Sequence, residues 1–386
     1  MKFLSSLTKK DLQNKICLLR VDLNIQNADL RGQTRGTTRK QNWHLRILAV
    51  LPTIEFLIGN GAKVVILSHR GRPQKVSSIK YQVSSYTLKP FAKILSSLFK
   101  KPVHFIEGTT FHAWNAEKKY FNNNMGNIFL LENLRFFSEE EKNDKNFAKQ
   151  LASLGDFYVN DAFAVSHRKN ASVAAITKFL PSYAGLLLEK EIKNLDKAMK
   201  SPKKPLIVIL GGAKISDKIG MVKNFLNRAD YFLVGGGMAN TFLAAQGLPV
   251  GDSLYDKNAD LRGLIRGLTR KIVLPVDVVI YKRQILDIGP KTIEKYLKII
   301  ENAETIIWNG PMGYIEDKKF RKGSEAIAKA IIKSKAFSVI GGGETASIFQ
   351  NSKLKTQNSK LFLSTGGGAM LEYLAGKKLP GIEALN

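Results

Sequence analysis

The chain has 386 residues, enough for two or three domains. Its 44% hydrophobic and 24% charged residues suit a globular protein rather than a disordered one, and no run approaches the ~18 apolar residues of a membrane span. The single cysteine, Cys17, excludes an intrachain disulfide, while 60 Lys+Arg against 32 Asp+Glu give a net charge of +28.

Met1 to Lys15 mixes lysines with polar residues and lacks the apolar core of a signal peptide, so a cytoplasmic location is expected. Lys15–Asp22 reads as a strand holding Cys17 as a buried thiol. Arg31 to Lys40 then forms a basic loop of arginines, glycines and threonines. Leu45–Gly59 has helical apolar spacing, and Val64–Leu67 is an apolar strand that gives way to Ser68-His69-Arg70-Gly71-Arg72-Pro73. A helix over Thr87–Leu98 and strands over Val103–Ile106 and Ile128–Leu131 follow. After them come an amphipathic helix over Lys142–Leu154 and a strand over Phe157–Val159. Strands separated by helices predict right-handed βαβ units around a parallel sheet. Leu186–Lys200 reads as one charged helix, and Ser201-Pro202 to Pro205 breaks it. The expected division is a domain over 1–185, a connecting helix over 186–200 and a second domain over 201–371, with the tail 372–386 packing back on the first.

Beyond that break, four apolar segments end in glycines. They are Leu206–Leu210 before Gly211-Gly212, Tyr231–Val234 before Gly235–Gly237, Phe337–Ile340 before Gly341–Gly343, and Leu361–Leu363 before Gly366–Gly368. Helix-forming sequence follows three of the four. A buried strand that delivers the chain to glycines and a helix start gathers bare N–H groups at a positive dipole end, a setting for phosphate. Neither a GxxxxGK[ST] loop nor a GxGxxG fingerprint is present. Lys214 and Lys218 are four apart, which on a helix puts both on one face, a costly pairing unless an anion lies between them.

The first half ends its strands differently. Arg20, Arg46, Arg72, Arg135 and Arg168 recur at strand or helix ends beside Asp22, Asn24, His69 and His167, and guanidinium forks suit carboxylate and phosphate oxygens. Residues 1–110 alone carry 19 basic and 5 acidic side chains, half of the excess charge. That balance favours an anionic ligand. It also fits RNA, but no recognition motif or interleaved stacking residues accompany it. No nucleophile, general base or Cys/His metal spacing is evident. Phosphoryl transfer needs none of these, because positioning and charge neutralisation carry it. A dehydrogenase on the same kind of sheet lacks its fingerprint.

Ordered motifs over nearly the whole chain resemble the phosphoglycerate kinase family. They include Arg20-Val-Asp22-Leu-Asn24, Ser68-His69-Arg-Gly-Arg72-Pro73, Glu132-Asn-Leu-Arg135-Phe136 and Asn160-Asp-Ala-Phe163. Further along stand Gly185-Leu-Leu-Leu-Glu189-Lys190-Glu191, Gly211-Gly-Ala-Lys214-Ile-Ser-Asp-Lys218, Gly235-Gly-Gly-Met-Ala-Asn240, Asp287-Ile-Gly-Pro and Trp308-Asn309-Gly-Pro-Met-Gly313. The resemblance implies an α/β fold of two doubly wound parallel-sheet domains joined by a hinge helix. It implies a monomer that transfers a phosphoryl group between 1,3-bisphosphoglycerate and Mg-ADP. Carried over by motif, Asp22, Asn24, Arg46, His69, Arg72, Arg135 and Arg168 would hold the triose. Lys214, Lys218, Asn309, Glu316, Gly342, Gly343, Glu344 and Thr345 would hold the nucleotide, with Glu316 on the ribose. Arg46, Lys218 and the N–H groups of Gly366, Gly367 and Gly368 would neutralise the transferring phosphoryl group. Glu344 stands where the family usually has aspartate and is expected to face Mg²⁺, the alternative being a helix cap. The segment between Asn24 and Arg46 is longer than usual, and Ala164, Asn170 and Ile285 replace glycine, histidine and glycine.

Overall fold

The computed structural model describes residues 1–26, 44–73, 84–108, 113–116, 121, 127–213, 216–257, 271–351 and 359–386. The basic loop from Arg31 to Lys40, and Lys214, lie outside the described residues. The chain divides into two units, residues 1–190 with 378–386 and residues 191–377.

Unit 1 is built on a six-stranded parallel sheet in the order β3-β4-β2-β1-β5-β6. Its strands are β1 (Ile16–Arg20), β2 (Lys63–Leu67), β3 (His104–Ile106), β4 (Ile128–Leu131), β5 (Phe157–Asn160) and β6 (Ser182–Ala184). All five residues of β1 are buried, as a central parallel strand covered on both faces requires. Helix α1 (Leu45–Gly59) turns Ile47, Val50, Leu51, Ile54 and Leu57 into the same core as Leu19 and Val64, and α2 (Lys89–Phe99) adds Phe91 and Leu95. The amphipathic helix expected over 142–154 is α4 (Lys145–Ala152), and a separate short helix, α3 (Ser138–Glu141), precedes it. The break between them is local. Asn143 takes a left-handed φ of 55°, and the Asp144 carboxylate then accepts the Phe147 N–H at 2.8 Å, starting α4 afresh.

Helix α5 (Leu186–Lys200) begins in unit 1, and the boundary between the units falls inside it. Unit 2 holds a second six-stranded parallel sheet, β14-β13-β12-β7-β8-β9. The strands are β7 (Leu206–Leu210), β8 (Tyr231–Val234), β9 (Ile272–Val273), β12 (Thr305–Asn309), β13 (Phe337–Gly341) and β14 (Leu361–Leu363). Between them stand α6 (Ile219–Phe225), α7 (Gly236–Ala245), α8 (Pro290–Glu301), α9 (Lys322–Lys333), α10 (Gly343–Asn351) and α11 (Gly368–Leu374). Ile207, Ile209, Ile306, Trp308 and Ile340 make the core of this unit with Tyr296 and Ile327 of the helices. Two expectations are corrected here. The sheets are parallel, but β10 (Val278–Tyr281) and β11 (Gln284–Ile288) form a separate antiparallel hairpin. Lys218 is not inside a helix; it is the residue before α6, so helical spacing from Lys214 does not apply.

In each sheet the chain starts in the middle, builds to one side and returns to the other. The reversals fall between β1 and β5 and between β7 and β12. Ligands of such sheets bind beyond the carboxyl ends at that reversal. Beside the first lies Asp161, fully buried, whose Oδ1 accepts the N–H groups of Leu187 and Leu188 at 2.8 and 3.1 Å. Burial raises its pKa from 3.8 to about 6, against the pull of the Thr53 hydroxyl and of those two donors. The native chain thus holds a proton that the unfolded chain has released. The stabilisation is complete below about pH 4 and is lost as pH rises to about 6. Among the described residues Asp161 Oδ2 makes no well-formed hydrogen bond, and asparagine keeps the one accepting oxygen. Asp161→Asn should therefore be more stable than the parent at pH 7 by about 2 kcal/mol. The gap should close toward pH 4 in urea unfolding measured at both pH values.

Candidate active site

The carboxyl end of the unit 1 sheet gathers positive charge around one imidazole. His69 follows β2 and is 1% exposed. Its pKa is held well below the ordinary value, first by burial and then by Arg20, Arg135, Arg168 and Arg46, so the ring is neutral. The turn that carries it is tied down. Ser68 donates to the Val21 carbonyl and accepts from the Leu23 N–H, and the Gly71 N–H donates to Asn24 Oδ1 at 2.8 Å. Arg70, buried, spans from the Ile25 carbonyl to the Thr87 carbonyl at 3.0 Å each.

Arg46 sits in the first turn of α1, where His44 Nδ1 accepts its backbone N–H at 3.2 Å. Its guanidinium reaches back to the Asn24 carbonyl at 2.6 Å and the Asp22 carboxylate at 3.2 Å. Asn133 accepts the N–H groups of Arg70 and Arg135 on one oxygen, fixing the turn after β4. Arg135 donates to the Gly71 carbonyl, and its Nε lies 3.5 Å from Glu141. Burial, then Arg168, lowers its pKa to about 10. Arg168 is lowered by burial and by Arg72, which is exposed. Like charges this close repel in a partly desolvated site, and an anion relieves them. The structure thus brings together Asp22, Asn24, Arg46, His69, Arg135 and Arg168, with Arg72 at the rim.

Unit 2 offers backbone instead. Beside its reversal, Gly211 and Gly310 pack main chain against main chain. A Cβ on Gly211 would meet the Pro311 carbonyl oxygen at 2.0 Å, and one on Gly310, at φ +88°, would meet that of Gly211 at 2.2 Å. A cavity of about 620 Å³ opens here, floored by Gly212, Gly236 and Gly237 and walled by Leu254, Ile285, Tyr314 and Phe320. Glu316 and Glu344 are both exposed on its lining. Lys218 is 7% exposed, with its pKa lowered by burial and partly restored by Asp217 and Glu344. Thr345 Oγ1 accepts the Gly310 N–H at 2.9 Å, joining the end of β12 to α10, and Asn309 is buried beside Gly342. Of the last glycine turn, the Gly366 N–H goes to Ser364 Oγ at 3.0 Å, while Gly367 and Gly368 are increasingly exposed.

A model of the family described as phosphoglycerate kinase matches residues 7–377. The chain belongs to the phosphoglycerate kinase family. A relative of that name from Herpetosiphon aurantiacus is 43% identical over 396 residues, 96% of each chain, and one from Dictyoglomus turgidum is 42% identical over 409, 100% of this chain and 98% of its own. The solved phosphoglycerate kinase of Pyrococcus horikoshii superposes with a TM-score of 0.80 at 36% identity, covering 100% of this chain and 98% of its own. That of Coxiella burnetii gives 0.77 at 35%, covering 99% and 98%. The chain is accordingly a kinase with the family's glycolytic reaction, reversible phosphoryl transfer between 1,3-bisphosphoglycerate and ADP, giving 3-phosphoglycerate and ATP.

Some residues that shape the phosphoglycerate kinase site escape the sequence reading. Glu140 is one, and the hairpin residue Tyr281 of the cavity is another. Glu191, quoted only as part of a motif, proves fully buried in α5. It accepts Ser364 Oγ–H at 2.7 Å and both the N–H and hydroxyl of Thr365 at 2.6 and 2.8 Å. It therefore sets the turn that leads into Gly366. Glu191→Ala leaves three donors facing an empty acceptor. It should cost unit 2 about 3 kcal/mol, read as a lower urea midpoint, and Glu191→Gln should cost less.

Proposed function

We propose that unit 1 binds the triose and unit 2 the nucleotide. The observation that carries the first half is the set of four arginines acting on one buried neutral histidine, a pocket rich in cationic hydrogen-bond donors. In this reading Asp22, Asn24, Arg46, His69, Arg72, Arg135 and Arg168 hold 3-phosphoglycerate or its acyl phosphate. Asp22 and the Asn24 carbonyl also aim Arg46.

The cavity over Gly212 and Gly236 takes the base on its apolar wall, Glu316 takes the ribose hydroxyls, and Lys214, Lys218, Asn309 and Gly342–Thr345 take the phosphates. Among the described residues no group of three acidic or metal-binding side chains forms a cation site on its own. Magnesium commonly takes one or two carboxylates and completes its shell with phosphate oxygens and water, and Glu344 fits that pattern. When bound there it would screen the negative charge of the nucleotide. Arg46 and Lys218 neutralise the transferring oxygens, aided by N–H groups of the 366–368 turn, and hinge bending brings the two ligands into line. The protein is read as a cytoplasmic monomer, because its ligands are small glycolytic anions and each unit carries its own core. The net charge of +28 is read as guidance of those polyanions rather than as a nucleic-acid surface.

ATP-dependent phosphorylation of 3-phosphoglycerate, followed by a coupled assay, tests the reading. Arg46→Ala and Lys218→Ala should each lower kcat ~10²–10³-fold with unfolding curves close to the parent. A near-normal kcat in either would remove that residue from the chemistry. Glu344→Gln should raise the Mg²⁺ concentration for half-maximal rate, whereas Glu344→Asp should be tolerated. An unchanged Mg²⁺ dependence with lowered Tm would leave Glu344 as a cap of α10.

A further inference from the structure

Arg20, the last residue of β1, is 1% exposed, yet the reading above gives it no ligand. All three of its nitrogens are engaged. Nε donates to Ser172 Oγ at 2.9 Å, Nη1 to the Val21 carbonyl, and Nη2 lies 3.1 Å from His69 Nδ1. A guanidinium has only donors. The His69 Nδ1 facing it must therefore present its lone pair, which leaves the ring proton on Nε2. Among the described residues Nε2 is buried without a hydrogen-bond partner, a donor held out for something else. The competing tautomer would place the proton on Nδ1 toward Asp22 Oδ1, but that oxygen is 3.9 Å away, beyond hydrogen-bond reach.

The charge on Arg20 is answered at one remove. Ser172 Oγ accepts from Arg20 and passes its own hydrogen to Glu140 Oε1 at 2.6 Å, while the Ser172 N–H donates to Glu140 Oε2 at 2.9 Å. Glu140 is fully buried on α3, with Asn170 Nδ2 at 3.4 Å, and the Tyr158 hydroxyl fixes the Ser172 carbonyl at 2.6 Å. Removed from the relay, a buried carboxylate and a buried guanidinium would each be stranded. The other charges facing the imidazole are Asp22 and Arg46, Arg135 and Arg168, which enter from the β1 exit, α1, the turn after β4 and the segment after β5.

We infer that Glu140, Ser172 and Arg20 form a positioning relay that fixes His69 as the neutral Nε2–H tautomer, so that it donates to an oxygen of the triose. The donation rests on the triose reading above; the tautomer does not. Long-range ¹⁵N–¹H spectra of the full chain without ligand at pH 7, with His69 assigned by His69→Gln, read the tautomer directly. An unprotonated Nδ1 beside a protonated Nε2 is expected, and the reverse pattern overturns the inference. Ser172→Ala and Glu140→Gln should mix the two tautomers and raise KM for 3-phosphoglycerate about tenfold. KM for ATP should stay within about twofold of the parent. A general loss of structure would move both KM values and the Tm together. Variants that keep the parental tautomer and KM remove Glu140 and Ser172 from the relay and overturn the inference. If His69→Gln binds 3-phosphoglycerate as the parent does while the expected tautomer is seen, the relay stands and the triose reading falls.

Discussion

A guanidinium cannot shed its charge, and unit 1 buries one at the end of its central strand. Everything nearby is arranged around that fact. Arg20 is tolerable because Ser172 and Glu140 answer it from one side, and because the Val21 carbonyl and a neutral His69 accept from its other two nitrogens. The neutrality of His69 follows from burial and from the crowd of arginines, which would make a fifth cation costly. Asp22 then remains to pair with Arg46 and hold it over the same ground. The pocket is thus positive by construction, and its negative charges are used to aim cations.

Unit 2, proposed to take the nucleotide, is built by the opposite means. Where unit 1 crowds side chains at its strand ends, unit 2 removes them, so that main chain can touch main chain at Gly211 and Gly310. Bare amides and helix starts attract anions without carrying a full charge, so they need no buried counterion. Lys218 is a full cation close to this floor, its charge favoured by Asp217 and Glu344 against burial. Two kinds of strand end, one cationic and one glycine-rich, thus stand at a reversal of strand order in the same kind of sheet.

Much of this was legible in the sequence because strand ends are marked by composition. Leu206–Leu210 and Leu361–Leu363 are apolar runs stopped by polar or glycine residues, and Leu45–Gly59 has clean helical spacing. The hairpin of β10 and β11 was not legible, for a definite reason. Its turn residues Lys282 and Arg283 take left-handed φ values of 46° and 60°, a conformation usually announced by Asn-Gly. Ser182–Ala184 pairs as β6 although it is too short to alternate. Glu140 was hidden inside Ser138-Glu-Glu-Glu, which reads as a solvated helix start. Only the fold reveals that the middle glutamate turns inward to Ser172 while Glu139 stays exposed.

The same hairpin separates the wall of the unit 2 cavity from its floor. It belongs to neither six-stranded sheet, and it contributes Tyr281, Gln284 and Ile285 to the cavity wall, whereas the glycine floor belongs to β7, β8 and β12 exits. A substitution on the hairpin therefore reshapes the wall without shifting the register of either six-stranded sheet. In evolutionary terms the wall is a module that can drift, while Gly211, Gly237 and Gly310 are locked by backbone contacts that leave no room for a Cβ. An isoleucine at position 285 is the kind of change such an arrangement permits.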